Sequence, residues 1–155
     1  MSTTEINQSV LRQLDKMTDL VDIQDIAPVA FSAERLKPGS GSQLQLGVSA
    51  AAAPTEQSLS YKFDLSGTIQ DDDDVDVATF AISMVITYVP RSASPEVAVP
   101  DDAESLKAFG DYVAWREVYP YLREGMQTVL ARLRIHGFQL PMVRPQDGLI
   151  PDTMN

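Results

Sequence analysis

From Leu59 to Gln70 apolar and polar residues alternate without a slip. Leu59, Tyr61, Phe63, Leu65, Gly67 and Ile69 fall on one side of an extended chain, and Ser58, Ser60, Lys62, Asp64, Ser66, Thr68 and Gln70 on the other. In a helix that order would scatter the apolar groups around the whole circumference, so this segment reads as a strand with one dry and one wet face. The run from Val75 to Val89 departs from the pattern in one respect. Phe80, Ile82, Met84, Ile86 and Tyr88 make a large apolar face, but the opposite face reads Thr79, Ala81, Ser83, Val85, Thr87 and Val89, small and half apolar. Such a face suits a central strand, a strand covered by another subunit, or one covered by its own chain. Association is the sharper reading, and it makes Ser83, Val85 and Thr87 candidate oligomer-interface residues.

Two further strands precede these. Ile23, Ala27, Val29, Phe31 and Ala33 occupy odd positions, and Pro28 among them marks an edge strand or a bulge because it cannot donate to a ladder. After the turn residues Pro38-Gly39-Ser40-Gly41, Leu44, Leu46 and Val48 alternate with Gln43, Gln45 and Gly47. The stretch Ala50 to Pro54 reads as a loop ended by proline, Asp71 to Asp74 as a solvated turn held open by self-repulsion, and Pro90 to Pro100 as an irregular connection. Helices flank the strands. Ile6, Val10, Leu14, Met17 and Val21 form one stripe of a helix over 4–20, with Ser2 and Glu5 at capping-box spacing. A second helical region spans 101–136, opened by the pair Asp101 and Glu104, with Leu106, Phe109, Tyr112 and Val113 as its first stripe. At Pro120 a new helix starts or the long one kinks, and Leu122, Met126, Val129, Leu130 and Leu133 form the face that follows, up to a left-handed stop at Gly137. Prolines at 141, 145 and 151 predict an extended, exposed tail over 138–155. The architecture expected is α+β: a single domain over 1–155, with the sheet at 22–89 between an extra N-terminal helix and a long C-terminal one.

Charge and the residue inventory narrow the function. A formal net charge of -10 opposes a phosphate backbone and makes nucleic acid an unexpected partner. The first twenty residues carry Glu5 and Asp15 and lack an unbroken apolar run, which speaks against a signal peptide. No stretch approaches the length of a membrane span, and the absence of cysteine removes thiolate metal sites and cysteine nucleophiles; a cytoplasmic protein without membrane insertion is expected. His136, the only histidine, sits beside the expected helix end, where a structural role outweighs catalysis. No glycine pattern forms a phosphate loop, and Asp71 to Asp74 lack the alternation, bend glycine and later glutamate of a calcium loop. No enzyme, cofactor or metal is expected; a metal-dependent enzyme built on the aspartate cluster is the third of three readings.

One segment carries a resemblance. Tyr119-Pro120-Tyr121-Leu122-Arg123-Glu124, followed by an amphipathic helix and then by Phe138-Gln139-Leu140-Pro141-Met142-Val143, and placed after four strands, resembles the SecB chaperones, whose main helix opens with an aromatic-Pro-Tyr-x-Arg-Glu segment. At motif level the resemblance covers residues 106–145. It implies a four-stranded antiparallel sheet with the long helix packed against it, dimers built through sheet edges and helices, and a homotetramer formed as a dimer of dimers. It also implies an ATP-independent holdase that binds unfolded polypeptides, as in protein translocation for export. The export proteins add a further C-terminal helix and an acidic tail that engage SecA, whereas this chain stops soon after its proline-rich segment and carries an amphipathic N-terminal helix. In that it is more similar to the SecB-like chaperones that hold one antitoxin, and a dedicated single-client role is the alternative reading. Grooves for unfolded chains need adaptable apolar side chains. Phe31, Tyr61, Phe63, Met84, Tyr88, Trp115, Tyr119, Tyr121 and Met142 supply them, with at least half expected in the core. Trp115, Tyr119, Met142, Phe31 and Tyr88 are the client-binding candidates, Tyr119 facing the groove and Tyr121 anchoring the helix to the sheet.

Overall fold

The computed structural model describes residues 8–91 and 102–140. Its element order is α1 (Gln8–Leu20), β1 (Val21–Arg35), β2 (Gln43–Pro54), β3 (Leu59–Gln70), β4 (Asp76–Pro90), α2 (Ala103–Phe109), one turn of π-helix at Gly110–Ala114, and α3 (Trp115–Arg132). The strands form one antiparallel sheet in the order β1-β4-β3-β2, so β4 is central and β1 and β2 are the two edges. α3 packs on β4, β1 and β3 from one side, and α1 packs on α2 and β1.

The clean alternation of β3 is realised residue for residue: its six odd positions are buried and its even ones half-buried or exposed. The large face of β4 joins the same core, while Ser83, Val85 and Thr87 on its other face are left half-exposed. Gly67 stands opposite Phe80 because a Cβ there would lie 2.2 Å from the Phe80 ring. Apolar burial of this kind contributes about 25 cal/mol for each Å² removed from water, so this covered face carries most of the folding energy.

Elsewhere the elements differ from the sequence reading. Ala50 to Pro54 is not a loop but the end of β2, paired with β3 as far as Pro54 opposite Leu59. Pairing overrides the weak strand propensity of alanine, and the proline is tolerated because β2 is an edge. β1 is an edge strand, as Pro28 implied, but its odd-numbered alternation does not survive. Register shifts between Ile23 and Asp25 and between Pro28 and Ala30 re-phase the side chains, so that Ile26 and Phe31 stand opposite the buried Ile86 and Ile82.

The C-terminal helices carry two more differences. The helix runs through Pro120 rather than starting there. Pro120 is exposed, so its ring lies on the solvent side of the helix. The stripe read through Tyr112 and Val113 is displaced to Ala114 and Trp115, both buried. The π turn, closed by the Trp115 N–H on the Gly110 carbonyl, inserts one extra residue and turns the rest of the helix back onto the sheet. α2 is capped by Asp102, whose carboxylate accepts from the Ser105 N–H at 3.0 Å, and not by Asp101, which lies outside the described residues.

α3 stops at Arg132, earlier than Gly137. Arg134 takes the left-handed position with φ 58°, its N–H donates to the Ala131 carbonyl, and the Ile135 N–H donates to the Leu130 carbonyl, which is a Schellman ending. His136 lies exposed beyond it. Of the expected exposed tail, Phe138 is half-buried, Gln139 exposed and Leu140 buried, and residues 141–155, with the Ser2 and Glu5 pair, lie outside the described residues.

Candidate functional site

α3 forms a ridge over the middle of the sheet, and a hollow remains on each flank. The larger, about 500 Å³, follows β2 from Val48 to Ala52 and is closed on its other side by Tyr61, Leu106 and Gly110. Its breadth comes from small side chains: Ala50 and Ala52 stand where the neighbouring β3 positions carry Phe63 and Tyr61. Its wall is fixed by two contacts. The Tyr61 hydroxyl donates to the Leu106 carbonyl at 2.7 Å, and Gly110 lets the helix approach so closely that a Cβ would sit 2.7 Å from the Tyr61 ring. Burial, reinforced by the nearby Asp111 carboxylate, holds the Tyr61 hydroxyl well above its ordinary pKa, so it stays a neutral donor. At the rim Lys107 and Asp111 pair across one helical turn at 2.5 Å, and that hydrogen bond raises the Lys107 pKa.

The smaller hollow, about 310 Å³, lies between β1 and α3 and is lined by Pro28, Phe31, Met84, Tyr121, Gly125 and Val129 among others. Phe31 is 48% and Tyr121 46% exposed, large values for such side chains. Gly125 is required here, since a Cβ would meet the Phe31 ring at 2.9 Å.

The candidates divide accordingly. Phe31 is the one client-binding candidate that the structure leaves open to a partner; Met142 lies outside the described residues. Trp115, Tyr119 and Tyr88 are 1%, 3% and 3% exposed and are corrected to core: Trp115 packs tilted against Phe63 and edge-on against Tyr119, and Tyr88 edges onto Phe109. Tyr88 is buried because it belongs to the large core face of β4; for Trp115 and Tyr119 the cause is the π turn, which re-phases the helix after Ala114. The division between the tyrosines is thereby reversed, with Tyr119 anchoring and Tyr121 facing out. Burial raises the pKa of Tyr119 and of Tyr88. The alanine-lined hollow had escaped the sequence reading. The signal for it was the run of alanines itself, which ends the bulky alternation on one strand only.

The aspartate cluster is a turn. The Asp71 carboxylate accepts from the N–H groups of Asp73 and Val75 and pairs with Lys37, which holds its pKa below the usual carboxylate range, and Asp74 adopts φ 59°. Among the described residues no group of three or more metal-ligating side chains converges, and no helix is long and apolar enough to cross a membrane.

No protein-family model matches this sequence, and no curated protein does. Among solved structures, the chain superposes with a TM-score of 0.71 and 19% identity on a SecB-like chaperone of Mycobacterium tuberculosis in complex with a ChAD peptide from the HigA1 antitoxin. The match covers 88% of this chain and 97% of that one. The fold is therefore SecB-like: a four-stranded antiparallel sheet, a long C-terminal helix and an N-terminal helix.

Proposed function

We infer that the protein is an ATP-independent chaperone that holds an extended, apolar stretch of one dedicated partner, of the antitoxin kind. The observation that carries this reading is the 500 Å³ hollow along β2, broad and largely apolar, beside an edge of the sheet. It is too open to sequester a small substrate and long enough to receive a peptide. The likeness to a chaperone holding an antitoxin peptide favours a dedicated client over general export service with SecA. Phe31 contacts the client from the opposite flank. The half-exposed Ser83, Val85 and Thr87 face meets a second pair of subunits in a cytoplasmic homotetramer.

The test separates the two chaperone readings. A tagged copy expressed in the native host recovers one polypeptide in stoichiometric amount, and that polypeptide, unfolded and diluted without ATP, stays soluble only when the chaperone is present. Equal protection of several unrelated unfolded proteins would replace the dedicated reading with a general one. Protection of none, the recovered partner included, ends the chaperone reading.

A further inference from the structure

We propose that α1 is a strap. Seated on the side of α2 away from the hollow, it holds that helix toward Tyr61 and so sets the width of the hollow, which opens when α1 lifts and α2 tilts about the π turn. This concerns the regulation of the hollow and rests on the chaperone reading.

α2 is a wall with two faces. Ala103, Leu106, Lys107 and Gly110 line the hollow, whereas Glu104, Ser105 and Ala108 line a seam against Val10, Gln13 and Leu14 of α1. Its seven residues are too few to stand as a helix alone, so its neighbours decide where it sits. The α2 backbone makes its broad approaches to α1 and to the π turn, and none of that extent to a strand. Side chains span the distance to the sheet: the Tyr61 hydroxyl reaches the Leu106 carbonyl, and the Phe109 ring packs on Tyr61 and Tyr88 beside the π turn.

The seam with α1 carries a specific joint. Ser105 is the one buried polar residue besides the tyrosines among the described residues, and its hydroxyl accepts from the Gln13 amide at 2.5 Å. A satisfied buried polar contact fixes one arrangement of the parts that share it. Tyr61 therefore holds α2 at residue 106 from one side, and Gln13 holds it at residue 105 from the other.

The grip of α1 is nonetheless light. Leu14 and Met17 are its buried residues, Leu11 is exposed, and a gap of about 20 Å³ remains in the seam, room for about one water. An element held by so few buried groups opens locally at lower cost than a sheet core does. The hinge for the response is present as well. Sharp bends in helices concentrate at π turns, and one joins α2 to the core-packed α3. Gly110, pressed against the Tyr61 ring, pins that end and leaves Ala103 as the end that swings. At 1.5 Å per residue α2 is about 10 Å long, so a tilt of about 20° carries its first residue about 3 Å.

The chain has no cysteine, so nitroxides on Ala103→Cys in α2 and Lys62→Cys on the exposed face of β3 report the width of the hollow. Pulsed electron-resonance distances are read in the full labelled chain, in its Met17→Leu variant, and in the variant carrying Leu14→Ala with Met17→Ala, while amide exchange is followed in α1 and β3. In the double variant the α1 amides are expected to exchange at least about tenfold faster, the β3 amides to hold, and the label distance to lengthen by about 3 Å. Met17→Leu keeps the parent distance. Freed α1 amides with an unchanged distance overturn the strap, because α2 then holds its place without α1. α1 amides that stay protected in the double variant overturn it too, as do β3 amides that loosen together with α1 and make it part of one cooperative core. The aggregation assay is read separately, so the strap can fail while the chaperone reading stands.

Discussion

The two edge strands of this sheet are opposites in how they meet solvent. β1 offers large side chains and a guarded backbone: Val29 and Phe31 are 56% and 48% exposed, yet two bulges and Pro28 spoil its outer hydrogen-bonding row. β2 offers small side chains and an unguarded backbone, with Ala50 to Ala53 in unbroken register. The difference teaches that one four-stranded sheet presents two kinds of surface. The β1 flank exposes large side chains, Phe31 and Tyr121 among what lines it, and the β2 flank exposes main chain. α3 and the core beneath it keep the two apart.

The largest effect tests whether that dividing ridge is rigid. Tyr119→Ala is expected to cost about 3 kcal/mol or more, as truncation of a buried ring does, whereas Tyr121→Ala costs under about 1 kcal/mol. Denaturant midpoints compare them, and equal losses would dissolve the distinction between ridge and flank. A smaller effect sharpens the description of β2. The Thr55 N–H donates to the Ser58 carbonyl, so odd-numbered β2 amides address β3. Ala51→Pro therefore removes an amide from the β2–β3 ladder and leaves its acceptor unpaired, for about 2 kcal/mol, while Ala50→Pro falls on the open edge and costs under about 1 kcal/mol. If both cost the same, the parity assigned to β2 is wrong. On the β1 flank, Val29→Lys is expected within about 0.5 kcal/mol of the parent, because an exposed bulge residue has little to lose.

The smallest effect is electrostatic. The hydrogen bond from Lys37 depresses the Asp71 pKa in the β3–β4 turn, and the Ser105 amide depresses that of Asp102 at the α2 cap. A carboxylate depressed in the fold stabilises above its unfolded pKa and loses that contribution as pH falls through the folded value. The amides of Val75 and Ser105 are therefore expected to exchange faster below about pH 4, before the sheet does. Both carboxyl groups lie in surface turns or caps, Asp71 partly covered and Asp102 exposed, so the change stays local. Uniform loosening of the whole chain over that range would contradict it.

How much of this was legible in the sequence varies by element, for physical reasons. The alternation of β3 and the large face of β4 read directly, because a sheet covered on one side enforces period two. β1 misled because a bulge shifts parity and leaves no composition signal of its own; only Pro28 hinted at it. The alanines of β2 looked like a loop because long-range pairing, absent from local sequence, decides for residues without strong preference. The π turn at Gly110–Ala114 was invisible for the same reason, and it moved Trp115 and Tyr119 from the expected groove into the core. Of the candidate site, Phe31 was legible as an apolar residue on a suspected edge, and it is exposed there. The β2 hollow was not legible because a groove is marked in sequence by large side chains, whereas here small ones make the room.

The claim that matters most is that the protein distinguishes an unfolded chain from a folded one without any energy source. The partner recovered from the native host provides the direct measurement. It is presented to the protein once native and once held unfolded in dilute denaturant, and binding is followed by fluorescence anisotropy with and without ATP. The account predicts saturable binding of the unfolded form with a dissociation constant at or below about 1 µM, no binding of the native form, and no change on adding ATP. Equal affinity for both forms, or binding that requires ATP, would contradict it.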